Sequence, residues 1–414
     1  MQAKLQSIDT LLARNEVKKA EIAIARHLRS PLSEHERANI LIYRARARLR
    51  SARPADALDD LLVAHDLLPS EFDRPETLEL LADCYLARFE LASVGFADRQ
   101  DVVKAQEYYE IILGQFPEYL NQGWIYYELG RIALINNDND LAQQYFHKSL
   151  LTPSNVRVLT SYCYERLGFI AFYEQRDLTT ALGFLGKAID TYPAAANQAW
   201  LVQIYVLQSR VAKERRDYKA ALEAAEKAVA VATSSGPENR SSLVEALLTA
   251  GELMSGFAGR EKDTINYLLQ FMQYSKKPLG VDVTWSRVHE LLGDAYFQLG
   301  QFMMAADAYE AALQYNPYHP WEISLHYRIA QSYYQQNDYA QAIAAVNRLI
   351  AAATAEDEQV ADYRVHEILG NAQFALGQYA DAVISYQRAL DLAPAKAEGV
   401  DKIRQYFQFA QELC

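Results

Sequence analysis

The chain has 414 residues, 50% hydrophobic and 23% charged, and its 41 basic and 53 acidic residues leave a net charge of −12. Three cysteines, Cys84, Cys163 and Cys414, lie far apart without C-x-x-C spacing, which excludes a disulfide framework or a zinc site and fits a reducing compartment. No apolar run approaches the roughly 18 residues of a membrane helix, and the opening stretch from Met1 to Asp9 has no apolar core, so a soluble cytoplasmic protein is expected.

Length alone would allow two or three globular domains, but the sequence repeats its own chemistry. Leu292-Gly293, Tyr296, Gly300, Ala305, Tyr309, Ala312 and Pro317 return as Leu369-Gly370, Gln373, Gly377, Ala382, Tyr386, Ala389 and Pro394. A unit this short cannot bury its own apolar face and must stack on copies of itself. Aligned on the small-residue pair and the following Ala, ten units start near 1, 38, 75, 123, 161, 202, 245, 286, 323 and 363.

In chain order, the first unit, 1–37, keeps only Ala20, Ile24 and Pro31 and reads as an atypical cap. The repeats proper run over 38–396. The unit at 38 has Ala45, Ala57, Ala64 and Pro69; that at 75 has Leu81-Ala82, Tyr85, Ala105, Tyr109 and Pro117. Between Tyr85 and Ala105 lies an insertion, about 88–103, expected as a lengthened helix plus loop. Leu129-Gly130, Ala142 and Phe146, then Leu167-Gly168, Ala181, Ala188 and Pro193, mark the next two units, and Tyr218, Ala221 and Ala228 the unit at 202. The stretch from Thr233 to Asn239 is the one composition shift that could serve as a hinge and reads as a loop between units. The unit at about 245–285 is degenerate, with Leu247, Leu253, Leu268 and Phe271 but no Ala at the second-helix anchor. In the unit at 286 a 3.6-residue period through Val288, Leu291, Leu292, Ala295, Tyr296 and Leu299 predicts one helix, stopped by Gly300. A second, carrying Phe302, Ala305, Ala308, Tyr309 and Leu313, ends at Asn316-Pro317 because proline cannot continue the hydrogen-bond ladder. Ile329-Ala330, Tyr333, Tyr339, Ala342 and Val346 carry the unit at 323. Val400, Ile403, Phe407 and Ala410 predict a capping helix over 397–414.

This pattern of a large apolar residue then Gly or Ala, an aromatic, an early Ala in the second helix, another aromatic, Ala and a closing Pro resembles the tetratricopeptide repeat family. The resemblance covers nearly the whole chain and implies an all-α fold, a right-handed superhelical solenoid of about ten helix hairpins over 1–414. Unit spacings of 37 to 48 residues exceed the family's period of about 34, so the turns are extended. It also implies a concave groove lined by fixed places on the first helix of each hairpin. Carried over, these are Trp124, Tyr127, Arg131, Leu134 and Ile135, then Tyr162, Glu165, Phe169, Phe172 and Tyr173. Further along come Arg287, Glu290, Asp294, Phe297 and Gln298, then Ser324, Tyr327, Gln331, Tyr334 and Gln335, then Arg364, Glu367, Asn371 and Phe374. Clustering of large and cationic side chains singles out Trp124, Tyr127, Arg131, Tyr162, Phe169, Phe172 and Tyr173 as the partner-binding groove, because such residues bury much area with little rotamer loss. Packing between hairpins is the alternative at each position. The dicarboxylate clamp of chaperone-binding members is not matched: its Lys place holds Tyr127, Glu165, Glu290, Tyr327 and Glu367, and only Asn371 fits.

Charge is uneven. Residues 1–55 contain 12 Lys or Arg against 5 Asp or Glu, and Arg44, Arg46, Arg48 and Arg50 follow one another at alternate places. They read either as a dock for an acidic partner, RNA or an anionic membrane surface, or as the solvated end of a stack whose charges oppose aggregation. No aromatic interleaving favours nucleic acid. The eight histidines form no H-E-x-x-H or triad, phosphate-cradling Gly motifs are absent, and the acidic run Glu356-Asp357-Glu358 lacks calcium-loop spacing and reads as a solvated turn. The expectation is therefore a non-catalytic adaptor binding a protein or peptide, with no cofactor and no metal. Two alternatives stay open: a regulatory sensor acting on an output domain of another chain, and an RNA or acidic-partner binder working through the basic end. The pattern also leaves room for self-association, either as a two-fold dimer through the last hairpin and the helix bearing Tyr406, Phe407 and Phe409 or head to tail through oppositely charged ends.

Overall fold

Every anchor Ala that the repeat pattern places early in a second helix is fully buried: Ala57, Ala105, Ala142, Ala181, Ala221, Ala305, Ala342 and Ala382. A methyl group there lets two helices approach closely, and that approach builds the fold. The computed structural model describes residues 2–14, 16–93, 96–234, 236, 239–355, 362–394, 397 and 399–414. Among these there are α-helices, one 3-10 turn at Pro69–Asp73 and no strand. The fold is an all-α helical-repeat solenoid. It divides into two compact units, Met1–Ala196 and Asn197–Cys414.

The first unit holds α1 Gln2–Ala13, α2 Val17–Leu28, α3 Glu34–Arg50, α4 Pro54–Leu67, α5 Pro75–Leu91, α6 Arg99–Gln115, α7 Gln122–Ile135, α8 Asn139–Leu151, α9 Leu159–Tyr173 and α10 Leu178–Thr191. The second holds α11 Gln198–Glu214, α12 Tyr218–Ser234, α13 Arg240–Met254, α14 Glu261–Tyr274, α15 Val283–Gln298, α16 Phe302–Tyr315, α17 Glu322–Gln335, α18 Tyr339–Ala355, α19 Tyr363–Ala375, α20 Tyr379–Leu392 and α21 Val400–Leu413. Within each unit an odd helix pairs with the even helix after it, and that even helix packs on the next odd one. Odd helices also touch the odd helix of the following hairpin, as in α3 with α5, α7 with α9 and α17 with α19. The odd helices therefore form one continuous layer in each stack.

The hairpin turn has a common mechanism. Asn137, Arg216, Gly300, Asn337 and Gly377 all adopt left-handed backbone, with φ of 60°, 62°, 72°, 64° and 74°. The next N–H then reaches back to a helix carbonyl, Asp138 to Ala133 at 2.8 Å and Gln301 to Tyr296 at 2.9 Å, which satisfies groups orphaned at the helix end. Where that next residue is Asp it also starts the second helix: Asp138 accepts from the Leu141 N–H at 3.0 Å and Asp177 from that of Thr180 at 3.0 Å. One residue thus closes one helix with its N–H and opens the other with its carboxylate.

Packing inside the hairpin depends on the small residue of the odd helix. A Cβ built on Gly293 would lie 2.5 Å from the Tyr309 ring, on Gly130 2.6 Å from Phe146, and on Gly370 2.8 Å from Tyr386. Each of those rings is fully or nearly fully buried, so the glycine is the space its partner occupies.

The two helices predicted for the unit at 286 are α15 and α16, and the capping helix is α21, which buries Val400, Ile403 and Ala410. In the degenerate unit Thr264 takes the Ala place, 1% exposed, and its hydroxyl donates to the Arg260 carbonyl at 3.1 Å. Across the insertion α5 reaches Leu91 and α6 begins at Arg99. Of the stretch considered as a hinge, residues 235, 237 and 238 lie outside the described residues, as does the Glu356-Asp357-Glu358 turn; the division into units falls instead at Ala196–Asn197. Among the described residues no helix is long and apolar enough to cross a membrane.

Candidate partner-binding surfaces

In the N-terminal unit the odd layer presents α5, α7 and α9. Successive turns of α7 place Trp124, Tyr127 and Arg131 on one face, and α9 does the same for Tyr162, Phe169 and Tyr173. Trp124 and Tyr127 have ring centroids 5.2 Å apart, and Tyr127 and Tyr162 6.1 Å. Phe169 meets Tyr173 at a tilt and Phe172 meets it edge-on, with centroids at 4.4 and 4.5 Å. The seven groove residues thus gather into two aromatic groups, with Arg131 lying 6.0 Å over the Tyr127 ring. They are not equally accessible. Tyr127 and Phe172 are only 5% and 4% exposed, Tyr127 packing against Phe146 of its own hairpin at 5.7 Å, whereas Tyr173 is 39% exposed and Trp124, Tyr162 and Phe169 are partly open. Burial raises the Tyr127 hydroxyl pKa, in keeping with a packing role.

Beside these rings sits a layer of carboxylates. Asp83 accepts from the Tyr109 hydroxyl at 2.6 Å; Glu79 accepts from the Tyr119 hydroxyl at 2.6 Å and the Asn121 amide at 2.7 Å. Glu128, 2% exposed, takes one arm of Arg131 at 2.7 Å, and Glu90 takes the other. Burial pushes the carboxyls of Glu79, Asp83 and Glu128 up to about 7.

The four arginines of the basic end are mostly occupied by the fold. Arg44 and Arg48 are one turn apart on α3 and converge on Asp60 of α4, 3% exposed, with the Arg44 Nε at 2.8 Å and an Arg48 Nη at 2.7 Å. Arg48 also donates to the Asp56 carbonyl at 2.8 Å, and Arg50 to the Leu12 carbonyl. Arg46 lies 5.3 Å over Tyr43. What the sequence shows as a basic run is largely the clamp that joins α3 to α4 and α1.

The C-terminal unit carries a concavity of its own. A cavity of about 940 Å³ opens between α16, α17 and α19, lined by Phe297, Tyr309, Tyr318, Trp321, Ile323, Ser324, Tyr327, Arg328, Gln331, Asp362, Arg364 and Val365 among others. Ser324, Tyr327, Gln331 and Arg364 are groove places carried over from the sequence. Tyr318 and Trp321, 90% and 64% exposed, stand in the turn before α17, where the Trp321 N–H donates to His319 Nδ1 at 3.1 Å. Sequence reasoning passed over them because Pro317 marked only a helix end; the run Tyr318-His319-Pro320-Trp321 was the available signal. Arg364 lies 5.9 Å over Tyr327 and is held by Asp362, with Nη2 at 2.6 Å; Arg328 lies over Tyr309 and pairs with Asp294. Among the described residues no group of three His, Cys, Asp or Glu side chains is arranged to hold a metal ion.

Residues 286–355 and 327–397 match the tetratricopeptide repeat family. No curated protein matches the chain. Among solved structures the chain is similar to MamA, at 21% identity over 48% of this chain and 93% of that one, with a TM-score of 0.37. It is similar to the first TPR of Spaghetti bound to an HSP90 peptide, at 25% identity over 32% and 99%, TM-score 0.27. It is also similar to the apo form of RapI, at 13% identity over 81% and 97%, TM-score 0.49.

Proposed function

On the premise that the chain is a multi-repeat member of the tetratricopeptide repeat superfamily, we propose that it is a non-catalytic scaffold that holds partner proteins or peptide segments against the odd-helix layers of its two units and so assembles them into a complex. The observation that carries this reading is the cavity of about 940 Å³ whose walls are groove places of consecutive hairpins, with Trp321 and Tyr318 open at its rim. Aromatic side chains half out of solvent lose little rotamer freedom on binding, so they supply interface energy at low entropic cost. The partly open Trp124, Tyr162, Phe169 and Tyr173 offer a second surface of the same kind, with Tyr127 and Phe172 as its packed support. The reading places the protein in the cytoplasm, where its three free cysteines stay reduced.

The experiment is capture of partners from lysate of the source cell by the wild type, by a Trp321→Ala/Tyr327→Ala variant and by a Trp124→Ala/Tyr162→Ala variant, with helicity checked by circular dichroism. Loss of a hot-spot aromatic costs about 2 kcal/mol or more, so recovery of the main partner falls by roughly 30-fold in at least one variant. An unchanged partner profile in both, at unchanged helicity, removes the proposal.

A further inference from the structure

Glu79 and Asp83 stand four residues apart on α5, one turn above the other on the same face, where two like charges repel. Among the described residues neither makes an ion pair, and their hydrogen-bond donors, Tyr119, Asn121 and Tyr109, are all neutral. Arg131, which reaches this layer from α7, is shared by Glu128 and Glu90. Four carboxylates, Glu128 buried, Glu79 and Asp83 half-buried and Glu90 exposed, therefore meet one directly paired cation. A cavity of about 340 Å³, lined by Asp9 of α1, Arg46 and Arg50 of α3, and Glu76, Glu79 and Asp83 of α5, joins the pair to solvent.

We propose that Glu79 and Asp83 share a proton at neutral pH, making the odd-helix layer of the N-terminal unit a proton-dependent element beside the Trp124 surface. The remaining groups around the pair set its sense. Arg46 from α3 favours the charged state of Glu79, while Glu128 from α7 opposes it. Arg131 and the Trp124 indole from α7 favour charged Asp83, as does Tyr109 from α6, and Glu79 opposes it. Desolvation outweighs these contributions for both groups, and each carboxyl is pushed up to about 7. Because the folded value lies above the unfolded one, the folded unit binds the extra proton. The associated stability is complete below pH about 4.5 and is lost as pH rises through about 7. A partner contacting Trp124 would then meet a layer whose negative charge grows over that interval. This rests on the geometry of α5, not on the scaffold reading, so either can fail alone.

The test is an infrared titration of the full chain between pH about 5 and 9, following the C=O stretch of protonated carboxyl groups. A band is expected that disappears as pH passes through about 7. In Glu79→Gln and in Asp83→Asn the remaining carboxyl loses its charged neighbour, so the band disappears at a pH lower by about one unit or more. Asn at the Asp83 place is structurally acceptable, since Asn371 holds the corresponding place in the last hairpin and accepts from Tyr386 at 2.8 Å. No such band in the wild type at pH about 6 overturns the proposal without recourse to any variant. A band whose midpoint is the same in both variants as in the wild type overturns it too, because the proton then resides on another group such as Glu128.

Discussion

Asp83 in the N-terminal unit and Asp294 in the C-terminal unit hold the same place in their hairpins, directly after the small residue of the odd helix, and each accepts from the buried Tyr of the even helix, at 2.6 and 2.7 Å. Around them the two stacks part company. Each has a second carboxylate one turn before it, Glu79 or Glu290, but Asp294 is paired with Arg328 of the next odd helix and Glu290 with Arg287, whereas among the described residues neither Asp83 nor Glu79 makes an ion pair. The frame of the repeat is thus set by the Gly or Ala and the ring it accommodates, while the charge state of the odd layer is set by which residue the neighbouring hairpin happens to send across. Scaffold and surface are separable because different positions determine them.

If the frame is common to both units, replacing its small residue must cost similar amounts in each. Gly293→Ala and Gly130→Ala introduce a Cβ at 2.5 and 2.6 Å from a buried ring, which can be relieved only by shifting that ring or the helix. Each is expected to lower stability by about 1–3 kcal/mol, read from the denaturant midpoint at unchanged slope. A loss confined to one unit would break the equivalence on which the comparison stands.

Asp83→Asn and Asp294→Asn then sharpen the difference. At pH about 8 the first removes a repelled, desolvated charge and keeps the acceptor for Tyr109, so the N-terminal unit gains stability, on the order of 1 kcal/mol. The second removes the partner of Arg328 in a half-exposed pair and loses up to about 1 kcal/mol. Trp124 is the sole tryptophan of the N-terminal unit, so its fluorescence, in a chain with Trp200, Trp285 and Trp321 replaced by Phe, follows that unit alone. Equal signs for the two variants would show that the charge environments are not distinct after all.

Most of the frame was legible because its signals are local. A 3.6-residue apolar period, the Gly or Ala pair and the early Ala fix helices and their close faces without reference to anything distant. The surfaces were less so. Nothing in Tyr127 or Phe172 says that packing buries them while Tyr173 stays open, since ring size is much the same in each case. Arg44 to Arg50 read as a basic patch, although the i,i+4 relation of Arg44 and Arg48 was a sign that both could meet one partner on α4; that the partner is the buried Asp60 depends on hairpin register. The shared layer of Glu79, Asp83 and Glu128 spans two helices 40-odd residues apart in places and leaves no sequence motif.

The turns provide the smallest effect and another contrast between units. Gly300 and Gly377 announce the left-handed residue that ends an odd helix of the C-terminal unit, but in the N-terminal unit that conformation falls to Ala52, Asn137 and Arg176, with φ of 56°, 60° and 55°, and Arg216 repeats the habit in α11–α12. A side chain in this region costs about 1–2 kcal/mol, partly offset by the entropy glycine loses on folding. Gly300→Ala should therefore destabilise by about 1 kcal/mol, while Arg216→Gly or Ala52→Gly should stabilise by somewhat less than about 1 kcal/mol. Opposite signs in thermal unfolding of the same full-length chain are the expected result. A destabilised Arg216→Gly would mean that residue 216 lies within regular helix, and that the turn shared by Asn137, Gly300 and Asn337 does not extend to α11 and α12.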